Sequence, residues 1–198
     1  MKKLLLFLTV ILLIFSCKDD EDKYLSFILA GQINGIGIKY VDIDPDVKLY
    51  LEYCLDCDTI INIDLDSDRI NDFELEYSSG HFMHSSGWER LKVQPLGMNS
   101  LCVNVAEKDW VDSFKLNDTI NNNCIWSDST SILYDYFVQW LTSPDSLYAV
   151  RTIKGYWYEN DNIYMGVKTL KDNKQFFGWI DLSKNALRRY AITVPYLE

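Results

Sequence analysis

The chain has 198 residues, 48% hydrophobic and 24% charged, with 29 acids against 19 Lys and Arg and a formal net charge of −10. A chain this acidic is a poor partner for nucleic acid, whose binding is driven by neutralising phosphates with Lys and Arg. It suits a surface module or one that holds cations. Thirteen tyrosines and six tryptophans weight it toward strands and toward a core of large side chains.

Met1-Lys2-Lys3 supplies a positive start, and Leu4 to Phe15 is apolar except for Thr9. A run of roughly a dozen apolar residues has the length of a signal-peptide core, whereas a membrane-spanning helix needs about 20. Ile14-Phe15-Ser16-Cys17 closes the run. It resembles the bacterial lipobox, in which a small residue precedes a cysteine that takes a diacylglycerol group, although Phe15 is bulkier than the usual occupant. The expectation is a lipoprotein signal peptide over 1–16, cleavage before Cys17, and attachment to a membrane through lipid on Cys17. Removing residues 1–16 takes away two lysines and no acid, so the charge moves from −10 to −12. What remains is about 180 residues, the size of one ordinary domain. Lys18-Asp19-Asp20-Glu21-Asp22 is too polar to enter a bilayer, so 17–23 reads as a lipidated, solvated tether. A lysine with acids directly after the cysteine also resembles the surface-export signal of Bacteroidota lipoproteins. That resemblance implies an outer-membrane protein facing outward; a plain charged spacer explains the same residues without sorting.

Residues 24–198 read as short strands separated by polar turns. Tyr24 to Ala30 and Ile36 to Ile43 are apolar or alternating runs joined across Gly31-Gln32-Ile33-Asn34-Gly35, and Val47 to Tyr53 alternates with period two. Ile60 to Leu65 and Phe73 to Tyr77 flank an Asp-rich turn. Arg90 to Gln94 and Leu101 to Val105 follow, with Pro95 and Gly97 marking the turn between them. Asn117 to Asn123 is polar and reads as an exposed loop. Ile132 to Leu141 is ambiguous, because its aromatic and β-branched content favours a strand while its length permits a helix. Tyr156-Trp157-Tyr158, Ile163 to Thr169 and Gln175 to Leu182 read as successive antiparallel strands, turned at Asn160-Asp161-Asn162 and Lys171-Asp172-Asn173-Lys174. Tyr190 to Val194 reads as a last strand. So many half-apolar strands are best buried in an all-β, antiparallel β-sandwich.

The segment richest in chemistry is Asp64-Leu65-Asp66-Ser67-Asp68-Arg69-Ile70-Asn71-Asp72. Its acids fall at loop positions one, three, five and nine, and Ile70 stands where a backbone carbonyl supplies the seventh-position ligand. Calcium takes six to eight oxygens at about 2.3–2.6 Å, which such a turn can supply. Leu75 stands where an EF-hand has its bidentate Glu, and strands flank the loop, so no EF-hand helix pair is expected. Position six is Arg69 where such loops have glycine, a place that often needs positive φ. A solvated acidic hairpin turn that binds nothing is the plainer alternative. A structural calcium ion held by Asp64, Asp66, Asp68, Ile70 and Asp72 is the expectation. Asp42, Asp44 and Asp46 share one face of an extended segment; they read as a solvent-facing acidic edge or as an outer ligand to that loop.

Four cysteines follow Cys17: Cys54, Cys57, Cys102 and Cys124. An even count in an exported chain points to two disulfides, and Cys54–Cys57 with Cys102–Cys124 is the locally cheapest of three connectivities. Cys54-Leu-Asp-Cys57 has redox or zinc spacing but lies in a strand-turn context without a second such pair. His81 and His84 sit between glycines and serines and read as surface residues of a loop. Neither Ser85 nor Ser86 lies in a nucleophile elbow, there is no phosphate-binding glycine loop, and no enzyme is expected. Trp88, Trp110, Trp126, Trp140, Trp157 and Trp179 carry the competing reading: exposed indoles on a β-sandwich bind sugar faces. The alternatives to a non-catalytic binding or accessory domain are therefore a glycan-binding module or, with less support, a glycan-active enzyme; a protein partner fits equally well.

Asp42-Ile-Asp-Pro-Asp46, Ile63-Asp-Leu-Asp-Ser-Asp68 running into Asn71-Asp-Phe73, Tyr164-Met-Gly-Val167, Phe177-Gly-Trp-Ile180 and Tyr190-Ala191 together resemble a group of secreted proteins and lipoproteins of Bacteroidota. In that group a D-x-x-P-D segment precedes an IDLNNDGxxDF loop and the chain closes on YGWI-like and YA strands. The resemblance covers most of residues 24–198 through loose motifs. It implies a secreted β domain of unassigned activity and supports calcium at Asp64, Asp66, Asp68 and Asp72, with Arg69 as the main departure.

Overall fold

The computed structural model describes residues 23–49, 56–82, 86–143, 146–155, 157, 163–182 and 186–196. These form thirteen strands and no helix. In chain order the strands are β1 (Phe27–Leu29), β2 (Ile38–Lys48), β3 (Cys57–Ile63), β4 (Phe73–Phe82), β5 (Ser86–Pro95), β6 (Ser100–Cys102) and β7 (Thr119–Asn121). They continue as β8 (Trp126–Ser127), β9 (Ser131–Ser143), β10 (Ser146–Lys154), β11 (Tyr164–Lys171), β12 (Lys174–Asp181) and β13 (Ala186–Thr193). A five-stranded sheet runs β10-β9-β5-β4-β3, a six-stranded sheet runs β2-β13-β12-β11-β6-β8, and β1 with β7 makes a third, two-stranded piece. All strand pairs are antiparallel, and the two large sheets pack face to face as an all-β sandwich.

Alternation decides which side chains meet. Leu75, Tyr77, Leu91, Val93 and Tyr134 from the five-stranded sheet pack against Met165, Val167, Ile180, Tyr190 and Ile192 from the six-stranded sheet. The residues between the latter point the other way. Tyr164, Phe177, Trp179 and Ala191 form a second cluster with Ile28, Ala30 and Ile120 of the β1–β7 piece. The centre of the six-stranded sheet is therefore buried on both faces, which explains why Phe176-Phe177-Gly178-Trp179-Ile180 is a continuous apolar run and not an alternating one. Trp179 is fully buried, donates Nε1–H to the Gln32 carbonyl at 3.1 Å, and meets the Tyr164 ring edge-on at 5.2 Å. Asp181, also fully buried, is matched by its cross-strand neighbour Arg189, whose Nε lies 2.8 Å from Asp181 Oδ2.

Several sequence expectations are corrected. Asn117 to Asn123 is not an exposed loop throughout: Thr119–Asn121 is β7, and Ile120 is fully buried. One deeply buried isoleucine outweighs the polar residues around it. Ile38 to Ile43, from the expected Ile36 to Ile43 run, and the start of Val47 to Tyr53 are one strand, β2, running through a cis Asp44–Pro45 bond. Proline is tolerated because β2 is an edge strand of its sheet. Gly80 and His81 belong to β4 and not to a loop. A Cβ at Gly80 would lie 2.6 Å from Trp88 Nε1, so that glycine leaves room for the indole across the ladder. Trp157 is buried but lies outside the strands, while β10, which the sequence reading passed over, supplies the missing edge. The ambiguous Ile132 to Leu141 segment is strand β9.

Candidate functional site

The Asp-rich loop spans residues 64–72 between β3 and β4, and its base is closed by the Asp72 N–H donating to the Ile63 carbonyl at 2.7 Å. Leu65 is fully buried in the main core beside Ile63 and Phe73, so the loop is pinned from inside while its acids face outward. Those acids then collect the loop's own amides. Asp64 accepts from the N–H groups of Asp68 at 3.2 Å and Arg69 at 2.8 Å, Asp66 from Asp68 at 3.0 Å, and Asp68 from Ile70 at 2.9 Å. Asp72 reaches back to the Leu65 N–H at 2.7 Å and is held from outside by Asn99 Nδ2 at 3.0 Å. Ser67 and Arg69 adopt φ of 61° and 72°. The sixth position thus has the left-handed conformation that glycine takes most easily, imposed here on an arginine.

Asp64, Asp66 and Asp72 each bring one carboxylate oxygen within 4.8 Å of the others. Asp68 is turned toward Lys171, whose ammonium lies 2.9 Å from Asp68 Oδ2 and 2.7 Å from Asp66 Oδ2. Lys39 Nζ donates to the Asp66 carbonyl, and the Tyr190 hydroxyl donates to the Asp64 carbonyl at 3.0 Å. Of the expected ligand set, three carboxylates converge, Asp68 stands beside them on Lys171, and Ile70 is exposed with its N–H given to Asp68. The electrostatics follow. Burial raises the Asp72 carboxyl above the usual range, and the negative charges of Asp66 and Asp64 add to that. The Lys171 ammonium, with the Ile70 N–H, holds Asp68 below it, and the same pairing keeps Lys171 firmly protonated. Clustered carboxylates disfavour one another's charge and favour any cation placed among them. A cleft of about 350 Å³ opens beside the loop, lined by Asp66, Lys171 and Lys174 over a floor that includes Phe176, Ile192 and Pro195. Its volume is at the lower end for small-molecule sites.

Nothing in the sequence connects Lys171, Lys39, Asn99 or Tyr190 with the loop, since they come from β11, β2, the β5–β6 turn and β13, and the turn and motif that hold Lys171 and Tyr190 speak only for strands. Asp42, Asp44 and Asp46 lie outside the carboxylate cluster. Asp42 accepts from the Tyr40 hydroxyl at 3.1 Å, and Asp46 pairs with Arg188 at 3.3 Å.

Cys57 opens β3 and is disulfide-bonded; its partner lies outside the described residues, as do residues 1–22 with Cys17, and Cys54, His84 and Ser85, whereas Lys23, the last residue of the expected tether, is bridged to Tyr196. Cys102 and Cys124 are two thiols, the first buried and the second half-buried. The His81 N–H donates to Asp56 Oδ1 at 3.0 Å, and its side chain is exposed. Of the six tryptophans only Trp140 is exposed. Trp88 lies opposite Phe137 in the β5–β9 ladder, three residues from Trp140, so the two indoles project from opposite faces. They form no common platform.

The fold and the loop together define a class, an antiparallel β-sandwich with an acidic connection between two strands. No protein-family model, curated protein or solved structure matches the chain.

Proposed function

We propose that the protein is a lipid-anchored, non-catalytic binding or accessory module of the outer membrane, facing outward, whose Asp64–Asp72 loop takes a structural calcium ion. The observation that carries the calcium assignment is the convergence of Asp64, Asp66 and Asp72 in a loop wound on its own amides, with left-handed backbone at the position where calcium loops place glycine. A calcium ion there would compete with Lys171 for Asp66, and its two charges would offset the Asp66 and Asp64 repulsion that adds to burial in raising Asp72. The role is structural, because the loop offers oxygens but no nucleophile paired with a base. Anchorage rests on the sequence of residues 1–22, with Cys17 as the acylated residue. A sugar-binding platform has less support, since Trp88 and Trp140 project from opposite faces of their sheet.

Calcium titration of the folded protein, followed by calorimetric melting, tests the metal. A saturable rise in melting temperature with half-saturation at about 10⁻⁴–10⁻³ M, absent in Asp66→Ala, is expected. No shift up to ten times that range sinks it. Lys171→Met should bind calcium more tightly, because a competing cation is gone. Anchorage is tested separately by fatty-acid labelling of the full chain, which Cys17→Ala should abolish.

A further inference from the structure

The excursion between β6 and β8, residues 103–125, carries β7 out and back, and with it one strand of the small sheet that covers Trp179 and Phe177. Its two ends are held side by side: Cys102 pairs with Trp126 in the ladder, and the Val103 N–H donates to the Ile125 carbonyl at 2.9 Å. Both cysteine backbones are fixed as well. The Cys102 carbonyl accepts from the Asp112 N–H at 3.0 Å, and the Cys124 N–H donates to the Asn121 carbonyl at 3.2 Å. We propose that Cys102 and Cys124 are a disulfide-forming pair, entered through Cys124, whose closure staples this excursion to the six-stranded sheet.

Three observations support it. The two cysteines line the same open recess, of about 230 Å³, with Asp112, Asn121 and Asn123. Only Cys124 is accessible: Cys102 is 2% exposed and Cys124 half-buried. Cys57 already has a partner, so no described cysteine competes. The polarity of the pair follows from its surroundings. The Cys102 thiol, donating to Cys124 Sγ, lowers the Cys124 pKa to about 7, and the Asn121 backbone helps; burial and the Asp112 carboxylate oppose it. Lys168, whose ammonium lies over the Trp126 ring at 4.8 Å, faces the Cys124 charge from β11. Giving that hydrogen bond, then burial, push the Cys102 thiol up. A thiolate with a buried resolving partner is the arrangement that exchanges disulfides.

The chemistry needs a disulfide donor, such as a dithiol–disulfide oxidoreductase or oxidised glutathione. Cys124 Sγ attacks one donor sulfur, breaks the donor S–S bond and releases one thiolate. The Cys102 sulfur then attacks Cys124 Sγ, its proton passing to solvent or to the released thiolate, and the second donor thiolate leaves. Two thiols are oxidised and one donor disulfide is reduced to two thiols, so electrons and atoms balance.

The test uses the full-length protein in detergent, reduced and then exposed to oxidised glutathione, alkylated in acid and mapped as peptides. The expected result is a peptide pair joined at Cys102 and Cys124, two hydrogens lighter than the separate thiols. Alkylated Cys102 and Cys124 in the folded, oxidant-treated protein would overturn the proposal. Order of entry is read from single variants. Cys102→Ala should accumulate glutathione on Cys124, and Cys124→Ala should take it up on Cys102 at least about tenfold more slowly. Equal rates refute entry through Cys124. Oxidation should raise the melting temperature by about 5–10 °C, less any part that persists in Cys102→Ala, which keeps the bond at Cys57. A rise of the same size in that variant refutes the staple.

Discussion

Two hairpins of this molecule begin from similar sequence and end in opposite environments. The β11–β12 hairpin turns tightly at Asp172 and Asn173, both at positive φ, and is flanked by β6 and β13 in its sheet. One face meets the five-stranded sheet and the other the β1–β7 piece, so Met165, Val167, Phe177, Trp179 and Ile180 all disappear from solvent. The β9–β10 hairpin is equally rich in aromatic and β-branched residues, yet β10 is the outer edge of its sheet, and Tyr148, Val150 and Ile153 remain exposed. Strand propensity is thus common to both. Burial is decided by the neighbours the chain supplies later, and among the described residues only the six-stranded sheet has covers on both sides.

The largest expected effect tests that contrast at its buried end. Trp179→Ala removes the indole from between Tyr40, Tyr164 and the Gln32 carbonyl. A loss of about 3–5 kcal/mol in chemical denaturation is expected, with a drop in melting temperature of about 10 °C or more. Next comes Gly178→Ala, which adds a methyl 2.6 Å from the Ala191 carbonyl and 3.0 Å from Val167 Cγ2. With backbone on one side the sheet cannot relax easily, and a loss of about 1–3 kcal/mol should appear in the same assay. Near-neutral behaviour of both would mean that the six-stranded sheet is not doubly packed.

How much of this was legible depends on sequence distance. Within the nine contiguous residues of the Asp loop, spacing picks out Asp64, Asp66 and Asp72, which converge, and the positive φ at Arg69, but it does not show that Asp68 turns away to Lys171. Lys171, which neutralises Asp66 and Asp68, lies 105 and 103 residues away from them. Nothing in its own neighbourhood marks it. Strands with strong alternation, β3 and β4 among them, were visible, as was the Lys171–Lys174 turn. β7 was not, because a three-residue strand whose single anchor is Ile120 has no period to detect. β10 was missed for the opposite reason: as an edge strand exposed on both faces, it has no buried side to impose alternation.

The turns sharpen the comparison with a smaller effect. Asp172 and Asn173 belong to types that tolerate left-handed backbone, whereas Arg69 at 72° does not. Arg69→Gly relieves that strain but gives the unfolded chain more freedom, so a net gain of about 0.5–1 kcal/mol is expected. The melting temperature should rise by about 2–3 °C. Glycine also removes one positive charge from the loop, so calcium should raise the melting temperature of Arg69→Gly at lower concentration than it does for the parent. A destabilised Arg69→Gly would show that the arginine side chain makes contacts that outweigh its backbone strain.

The smallest effect lies at the exposed hairpin. Val150 is 45% exposed on β10 and stands opposite Gln139, on the same face as Phe137 and Tyr148. In a covered strand, lysine at such a position would bury a charge, and the loss would rival that at Trp179. On an uncovered edge the ammonium stays in water and the aliphatic stem lies along Phe137. Val150→Lys should therefore change unfolding free energy by no more than about 0.5 kcal/mol. A loss of several kcal/mol would mean that the outer face of β9–β10 is packed in solution, and the two hairpins would then differ in sequence order alone. A null effect, set beside the Trp179→Ala loss, assigns the difference between them to their neighbours.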